Sequence, residues 1–483
     1  MIFRIASATA LLLAPVPAFA QSQQDELDAR YDRALAAGYK ALFLCGAIAN
    51  AERNGVNRPV TSVTAWELTG VYPAIDPIVR TLDHRIVRAE NGPISHVEVD
   101  WAEDMPPRFA KASYKDGCRL APIGLAPGPA ETDLPPNAGI PENFPRLPDG
   151  APAFPPKISL ATHRRIFAGP VEQAFDGTYG EGARTTAVVI RHEDGGFSRY
   201  AGCCMENAKE YVDRLQGFSK QTPQRTWSVA KSIAATLVGV AVHKGQVAVS
   251  DPAVRDAWSD DARKQITIDQ LLRMASGRYS DTPGNRTDPL YAGGSTIEET
   301  ATDWPLLYPP GTTYRYANND TLMAIKAISD RHEDFDPEAF FQQIGMKGTV
   351  AETDWSGDYI LSSQVWATAE DLANLGQLYL NDGVWEGERI LPEGWTEYVS
   401  SPSGPQPDGA FGYGAGFWLF NKSDGIPPDT FAAMGNRGQY LVIVPSRDVV
   451  IVRRGEDPVG SRFDIVSFTR DVLAALAGDT AEE

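Results

Sequence analysis

Ser228 and Lys231 form the pair in this sequence best suited to opening a carbonyl group. They lie in Trp227-Ser228-Val229-Ala230-Lys231-Ser232, three residues apart, so on a helix they share a face. A serine hydroxyl is a weak nucleophile until a base takes its proton. A lysine amine serves as that base when burial and nearby positive charge lower its pKa. A serine at a helix start also meets backbone N–H groups and the positive end of the helix dipole, which favour developing negative charge. Ser-x-x-Lys is also a frequent chance match, and Ser228 reads equally well as a plain N-cap.

Two further stretches carry useful groups. In Gly311 to Asp320, Tyr316-Ala317-Asn318 sits on a loop before a helical segment, Thr321 to Ser329. A tyrosine oxygen beside a lysine can relay a proton to a leaving group, and an asparagine two residues on can hold the lysine and a substrate carbonyl. Gly435-Asn436-Arg437-Gly438-Gln439 leads into a strand from Tyr440. On a strand, Asn436 and Gly438 face one way and Arg437 the other. Gly438 there lets a substrate backbone approach, and the N–H of Gln439 completes an oxyanion hole with that of Ser228. Alone, the first stretch reads as a loop tyrosine with Asn318 as N-cap, and the second as a Gly-rich turn.

The elements that must position these groups are legible in outline. Ile233 to Val242 is apolar on nearly every side, as in a helix buried all round, with His243, Lys244 and Gly245 as its stop signals. Ile158 to Phe175 reads as a helix. Thr185 to His192 and Phe197 to Ala201 read as strands joined by the turn Glu193 to Gly196. Near the C-terminus, Tyr413 to Phe420, Tyr440 to Val444 and Val449 to Arg453 read as strands, with Pro445 to Asp448 as a hairpin loop. A final helix runs from Arg462 to Leu476. Strands at both ends with helical sequence between predict an α+β fold: an antiparallel sheet from the two chain ends, with a helical lobe inserted.

Upstream, residues 25 to 53 read as a helix ending near Gly55, and residues 83 to 120 as short strands. His96 to Trp101 alternates as a half-buried strand does. Ala121 to Pro156 holds eleven prolines, which excludes a helix interior or central strand. It reads as an extended connector or a disordered linker. The expected organisation is a signal peptide (1–20), an N-terminal extension (21–120), a Pro-rich connecting segment (121–156) and a catalytic body (157–483).

The signal peptide rests on Arg4, the apolar run Ile5 to Ala14 and the small-x-small site Ala18-Phe19-Ala20. The run is too short to span a bilayer as a mature helix. The expected location is periplasmic or secreted, without stable membrane insertion. A net charge of −19 argues against nucleic acid or an anionic membrane as partner. Four cysteines in an exported chain permit disulfides in three full pairings. Cys45 and Cys118 are the favoured bridge, and Cys203 and Cys204, as neighbours, are poor partners for each other. The six histidines, at 84, 96, 163, 192, 243 and 332, are scattered, so neither a metal site nor a cofactor is expected.

Taken together, Ser-x-x-Lys, Tyr-x-Asn and a Gly-containing strand start stand in one order, and the chain resembles the class C β-lactamase-related serine hydrolases. The likeness is greatest to members that act as 6-aminohexanoate-dimer hydrolases. Ile266 to Gly277, Ala367 to Ala373, Asp382-Gly383-Val384-Trp385 and Ile390 to Trp395 also carry it, from about Arg184 onward. The N-terminal region, with Leu44-Cys45-Gly46-Ala47, resembles an extension of some exported members. The resemblance implies that Ser228 is acylated, Lys231 is its base, Tyr316 relays a proton, Asn318 anchors polar groups and Gln439 supplies the second oxyanion N–H. Where lactam-hydrolysing members carry Lys-Thr-Gly, this chain has Asn436. The cation that grips a lactam carboxylate is missing unless Arg437 turns to replace it. Tyr279 and Tyr291 lie where some amide hydrolases of this type present a tyrosine to substrate.

The resemblance therefore implies an esterase or amidase acting on a small-molecule ester or linear amide. β-Lactamase or D,D-peptidase activity, or a non-catalytic binding protein on the same scaffold, are the alternatives. A Ser-His-Asp hydrolase is disfavoured, because no Gly-x-Ser-x-Gly elbow occurs.

Overall fold

The computed structural model describes residues 18–90, 92–130, 160–192, 195–201, 218–253, 255–279 and 288–479. Cys203, Cys204 and most of the Pro-rich connector lie outside the described residues.

The chain enters through one long helix, Ala18–Arg53, which runs continuously past the expected cleavage position after Ala20. From Ala34 to Ala51 this helix is buried almost all round. Its apolar window, within Ser22–Arg53, is long enough to cross a membrane, but 94% of it is buried inside the protein, as expected of a core helix. Four strands follow in a meander: β1 (His84–Arg88), β2 (Ile94–Val99), β3 (Arg108–Ser113) and β4 (Gly117–Leu120). The helix packs across β2, β3 and β4. A disulfide between Cys45 and Cys118 ties it to β4, with the Cα atoms 6.1 Å apart. The strand at His96 is not half-buried as its alternation predicts. One face meets the helix, and on the other Phe109 packs against both His96 and Trp355.

Beyond the connector, the helix Leu160–Asp176 leads to β5 (Thr185–His192) and β6 (Gly195–Tyr200). The chain leaves the sheet through β7 (Gln224–Arg225) and the helix Val229–His243. Further helices build the inserted lobe, among them Asn318–Ser329 and Ala369–Leu380. Within it, β8 (Val350–Ala351) and β9 (Val365–Ala367) join β7 in a small sheet, and β10 (Val384–Trp385) pairs β11 (Glu388–Arg389). β12 (Gly412–Tyr413), β13 (Trp418–Leu419), β14 (Phe431–Gly435), β15 (Gln439–Val444) and β16 (Val449–Gly455) then complete a seven-stranded antiparallel sheet in the order β12-β13-β14-β15-β16-β5-β6. The fold is α+β, with the main sheet made from both ends of this part of the chain.

Both faces of that sheet are covered, which explains its unbroken apolar strands. Side chains alternate across a strand. Val189, Leu441, Ile443, Val450 and Val452 face the helices Val229–His243 and Ala369–Leu380. Val188, Ile190, Val442, Val444 and Ile451 face the helix Leu160–Asp176 and the C-terminal helix Ile465–Asp479. The expected single strand from Tyr413 to Phe420 is instead a tight hairpin, β12 against β13, with Tyr413 opposite Trp418.

Candidate active site

The helix Val229–His243 presents Ser228 at its N-cap, yet the hydroxyl makes no capping hydrogen bond. Residues 222–227 and 229–239 are all buried, and Ser228 alone between them reaches solvent. Its Oγ instead accepts a hydrogen bond from Lys231 Nζ at 3.0 Å. The Lys231 side chain is 1% exposed, and Nζ also donates to Asn318 Oδ1 at 2.6 Å and to the Ser362 carbonyl at 2.8 Å.

These contacts define what the amine can do. The carbonyl oxygens of Asn318 and Ser362 can only accept. A neutral amine that keeps both bonds spends its two N–H groups on them, and its lone pair is left facing the Ser228 hydroxyl. These partners therefore suit a base before attack and an ammonium after it.

Asn318 opens the helix Asn318–Ser329, whose N-cap is Ala317, so Asn318 is not the cap. Two residues on, the Asp320 carboxylate accepts from Ser276 Oγ at 2.8 Å and pairs with Arg278 at 3.0 Å. Burial raises its pKa, and Arg278 opposes the rise. Lys231 Nζ lies 5.0 Å from the centre of the Tyr316 ring. Trp418 stacks on Tyr316 with ring centres 5.4 Å apart, and Tyr413 meets both edge-on. Burial pushes the Tyr413 and Tyr314 hydroxyls far above the usual phenol range. Tyr316 thus sets an aromatic ring beside Lys231, backed by Trp418 and by the buried Tyr413.

The third stretch departs from its strand reading. Gly435 pairs with Gln439, so Asn436, Arg437 and Gly438 form the turn of the β14–β15 hairpin. Arg437 and Gly438 have φ of 57° and 77°, a left-handed pair that closes the turn. Asn436 is exposed, and its Oδ1 accepts from the Arg437 N–H at 2.9 Å. A Cβ on Gly438 would collide with the Arg453–Asp457 ion pair, so this glycine admits that pair and not a substrate backbone.

Gln439 is 0% exposed, and its side chain is spent on the Arg437 and Gly455 carbonyls and on Arg454. It closes the β14–β15 hairpin opposite Gly435, so the structure sets Gln439 in the core and not on an open strand start. Gly435 is the third-stretch residue beside Ser228: a Cβ there would lie 3.2 Å from the Ser228 nitrogen and clash with the Thr226 carbonyl. Arg437 does not replace the missing cation either. Its guanidinium is buried, 2.7 Å from Glu456, and donates to the carbonyls of Trp66, Thr69 and Gly70.

Sequence reading missed Ser362, whose backbone carbonyl holds Lys231, and the place of Gly435 beside Ser228, neither of which carries a side-chain signature. It also missed Trp418 and Tyr413, which the hairpin brings over Tyr316. Of the two flagged tyrosines, Tyr291 hydrogen-bonds Ser362 Oγ at 2.6 Å and so supports the carbonyl that holds Lys231. Tyr279 packs near Trp304. Among the described residues, no group of three or more His, Cys, Asp or Glu could hold a metal ion.

A family model described as Beta-lactamase matches residues 182–456, more than half of the chain. No curated protein matches the sequence. Solved structures that share the fold include a Bacillus anthracis protein provisionally described as a 6-aminohexanoate-dimer hydrolase. It is 22% identical, with a TM-score of 0.50, over 62% of this chain and 80% of that one. A class C beta-lactamase is 11% identical with a TM-score of 0.50, over 66% of this chain and 98% of that one.

Proposed function

The chain belongs to the beta-lactamase family, and on that premise we propose that it is an exported serine hydrolase cleaving an ester or linear amide through an acyl-enzyme on Ser228. The observation that carries this reading is the Lys231 amine, buried and held so that its third bond goes to the Ser228 hydroxyl.

In the proposed reaction, Ser228 Oγ attacks the substrate carbonyl carbon as its proton passes to Lys231 Nζ. The carbonyl oxygen becomes an oxyanion, received by the Ser228 N–H at the helix start. We assign the second donor to the edge of β14 near Gly435. β14 pairs with β13 through Phe431 and Ala432, and among the described residues the stretch beyond them has no strand partner on that edge. The bond to the leaving group then breaks, and the proton on Lys231 reaches the departing oxygen or nitrogen by way of Tyr316. Water, deprotonated by the same amine, releases the acid and restores Ser228.

Substrate class follows from what faces the site. Arg437 is committed elsewhere, and Asn436 offers no charge to a carboxylate, which favours neutral esters and linear amides over lactams. The partly exposed Tyr316 and Trp418 rings suit an apolar portion beside the scissile bond. Export is supported by the N-terminal apolar run and by the Cys45–Cys118 disulfide, a bond that persists in oxidising compartments. We expect a small-molecule partner, no nucleic acid and no cofactor.

Hydrolysis of a p-nitrophenyl ester, a linear anilide and nitrocefin, measured side by side with Ser228→Ala as control, tests the proposal. Ester or anilide turnover that disappears in the variant supports it. Turnover that survives Ser228→Ala would end it.

A further inference from the structure

We propose that the N-terminal segment is a working part of the active site, and that Trp227 is the positioning residue through which it acts on Ser228. The inference rests on the serine-hydrolase reading above and adds to it a dependence on residues 43–72.

Trp227 directly precedes the nucleophile and has φ of 51°, in the left-handed region where a bulky side chain is an outlier. Such a conformation persists only where the surroundings over-determine it. Here they do. The ring is buried in the core of the N-terminal segment and not in that of the main sheet. Phe43, from the long helix, lies 5.8 Å from it, and Tyr72 meets it edge-on at 6.4 Å. The Arg225 guanidinium covers the ring at 4.3 Å and also lies over Phe43 and Tyr291. The side chain of the residue before Ser228 is thus gripped by the N-terminal segment, which fixes the backbone at the helix start.

Two more supports of the site lead to the same place. Lys231 is held by the Ser362 carbonyl, Ser362 Oγ bonds Tyr291, and Tyr291 lies under the Arg225 guanidinium that also covers Phe43. The hairpin turn after Gly435 is fixed by Arg437, whose guanidinium takes the carbonyls of Trp66, Thr69 and Gly70. Nucleophile, base and hairpin each trace to residues 43–72. Reacting groups need placement to a fraction of an ångström, and their supporting shell supplies it.

The full chain carrying Trp227→Ala, Trp227→Phe or Tyr72→Ala tests this, with folding checked by circular dichroism and melting. Tyr72 is only half-buried, so its truncation keeps the test open if Trp227→Ala fails to fold. A misplacement of about 1 Å costs on the order of 100-fold in rate, so we expect Trp227→Ala to lower kcat at least about tenfold with little change in KM. Trp227→Phe should recover most of that loss, and Tyr72→Ala should lower kcat severalfold. Amide hydrogen exchange over residues 225–232 reads the same constraint without turnover, and should quicken in Tyr72→Ala. Folded Trp227→Ala and Tyr72→Ala proteins with kcat and exchange unchanged would overturn the proposal. A wild-type protein that never acylates at Ser228 would refute the hydrolase reading alone, leaving exchange to decide the positioning role.

Discussion

The amine of Lys231 lies 2.6 Å from Oδ1 of Asn318, an acceptor that carries no charge. A carboxylate at that position would bind the ammonium form and hold the proton that a base must lose. The uncharged amide orients the amine without adding a charge that favours the ammonium.

Asn318→Asp therefore separates orientation from charge. The new carboxylate favours the ammonium, so the acid limb of the kcat/KM profile should move to higher pH. Activity at pH 7 should fall by about 100-fold, within the range that general-base catalysis supplies. A profile that stays in place would show that Asn318 does not govern the proton on Lys231.

Removing Lys231, the proposed base, is more severe. Lys231→Ala should lower kcat by about 1000-fold or more, because nucleophile and base act as one unit. It also removes a buried hydrogen-bond donor from the Asn318 and Ser362 oxygens, at a cost of about 1–3 kcal/mol in stability. Stopped-flow acylation with a chromogenic ester, beside a melting curve, distinguishes lost chemistry from lost fold.

The fold was legible where physics is local, and the site was legible in part. The all-apolar run after Ser228 announced a buried helix, and β5, β15 and β16 announced themselves by continuous Val and Ile. Such runs occur because helices cover both faces of the sheet. The Gly435–Gln439 stretch misled because its strands were evident but its register was not. Gly-Asn-Arg-Gly between two apolar strands is a turn pattern, and reading it as a strand start brought Gln439 out of the core in which it is buried. Ser362 and Trp418 reach the site by contacts distant in sequence, which no spacing rule anticipates.

The disulfide offers a stability test independent of the chemistry. Cys45 and Cys118 are separated by 73 residues. Closing a loop of that size stabilises by about 4 kcal/mol in the chain-entropy account. Replacing both cysteines with Ala should lower the midpoint of chemical unfolding accordingly, and an unchanged midpoint would show that the bridge contributes nothing to stability.

Glu352 makes stability depend on pH. It is fully buried where β4 meets β8, its Oε1 accepts from the Cys118 N–H at 3.2 Å, and burial pushes its carboxyl up to about 8 despite nearby Arg225. The folded chain therefore keeps this proton at pH values where the unfolded chain has lost it. The stabilisation is complete below about pH 4.5 and is lost as pH rises through about 8. Glu352→Gln keeps the shape without the titration, so its melting temperature should fall less between pH 5 and 9 than that of the wild type. Parallel curves would reject the assignment.

Peptide mapping by mass spectrometry after a fluorophosphonate probe tests the central claim most directly. The predicted result is one adduct on the peptide that contains Ser228, absent or greatly slowed in Lys231→Ala. An adduct on another residue, or none on the folded wild-type protein, would contradict it.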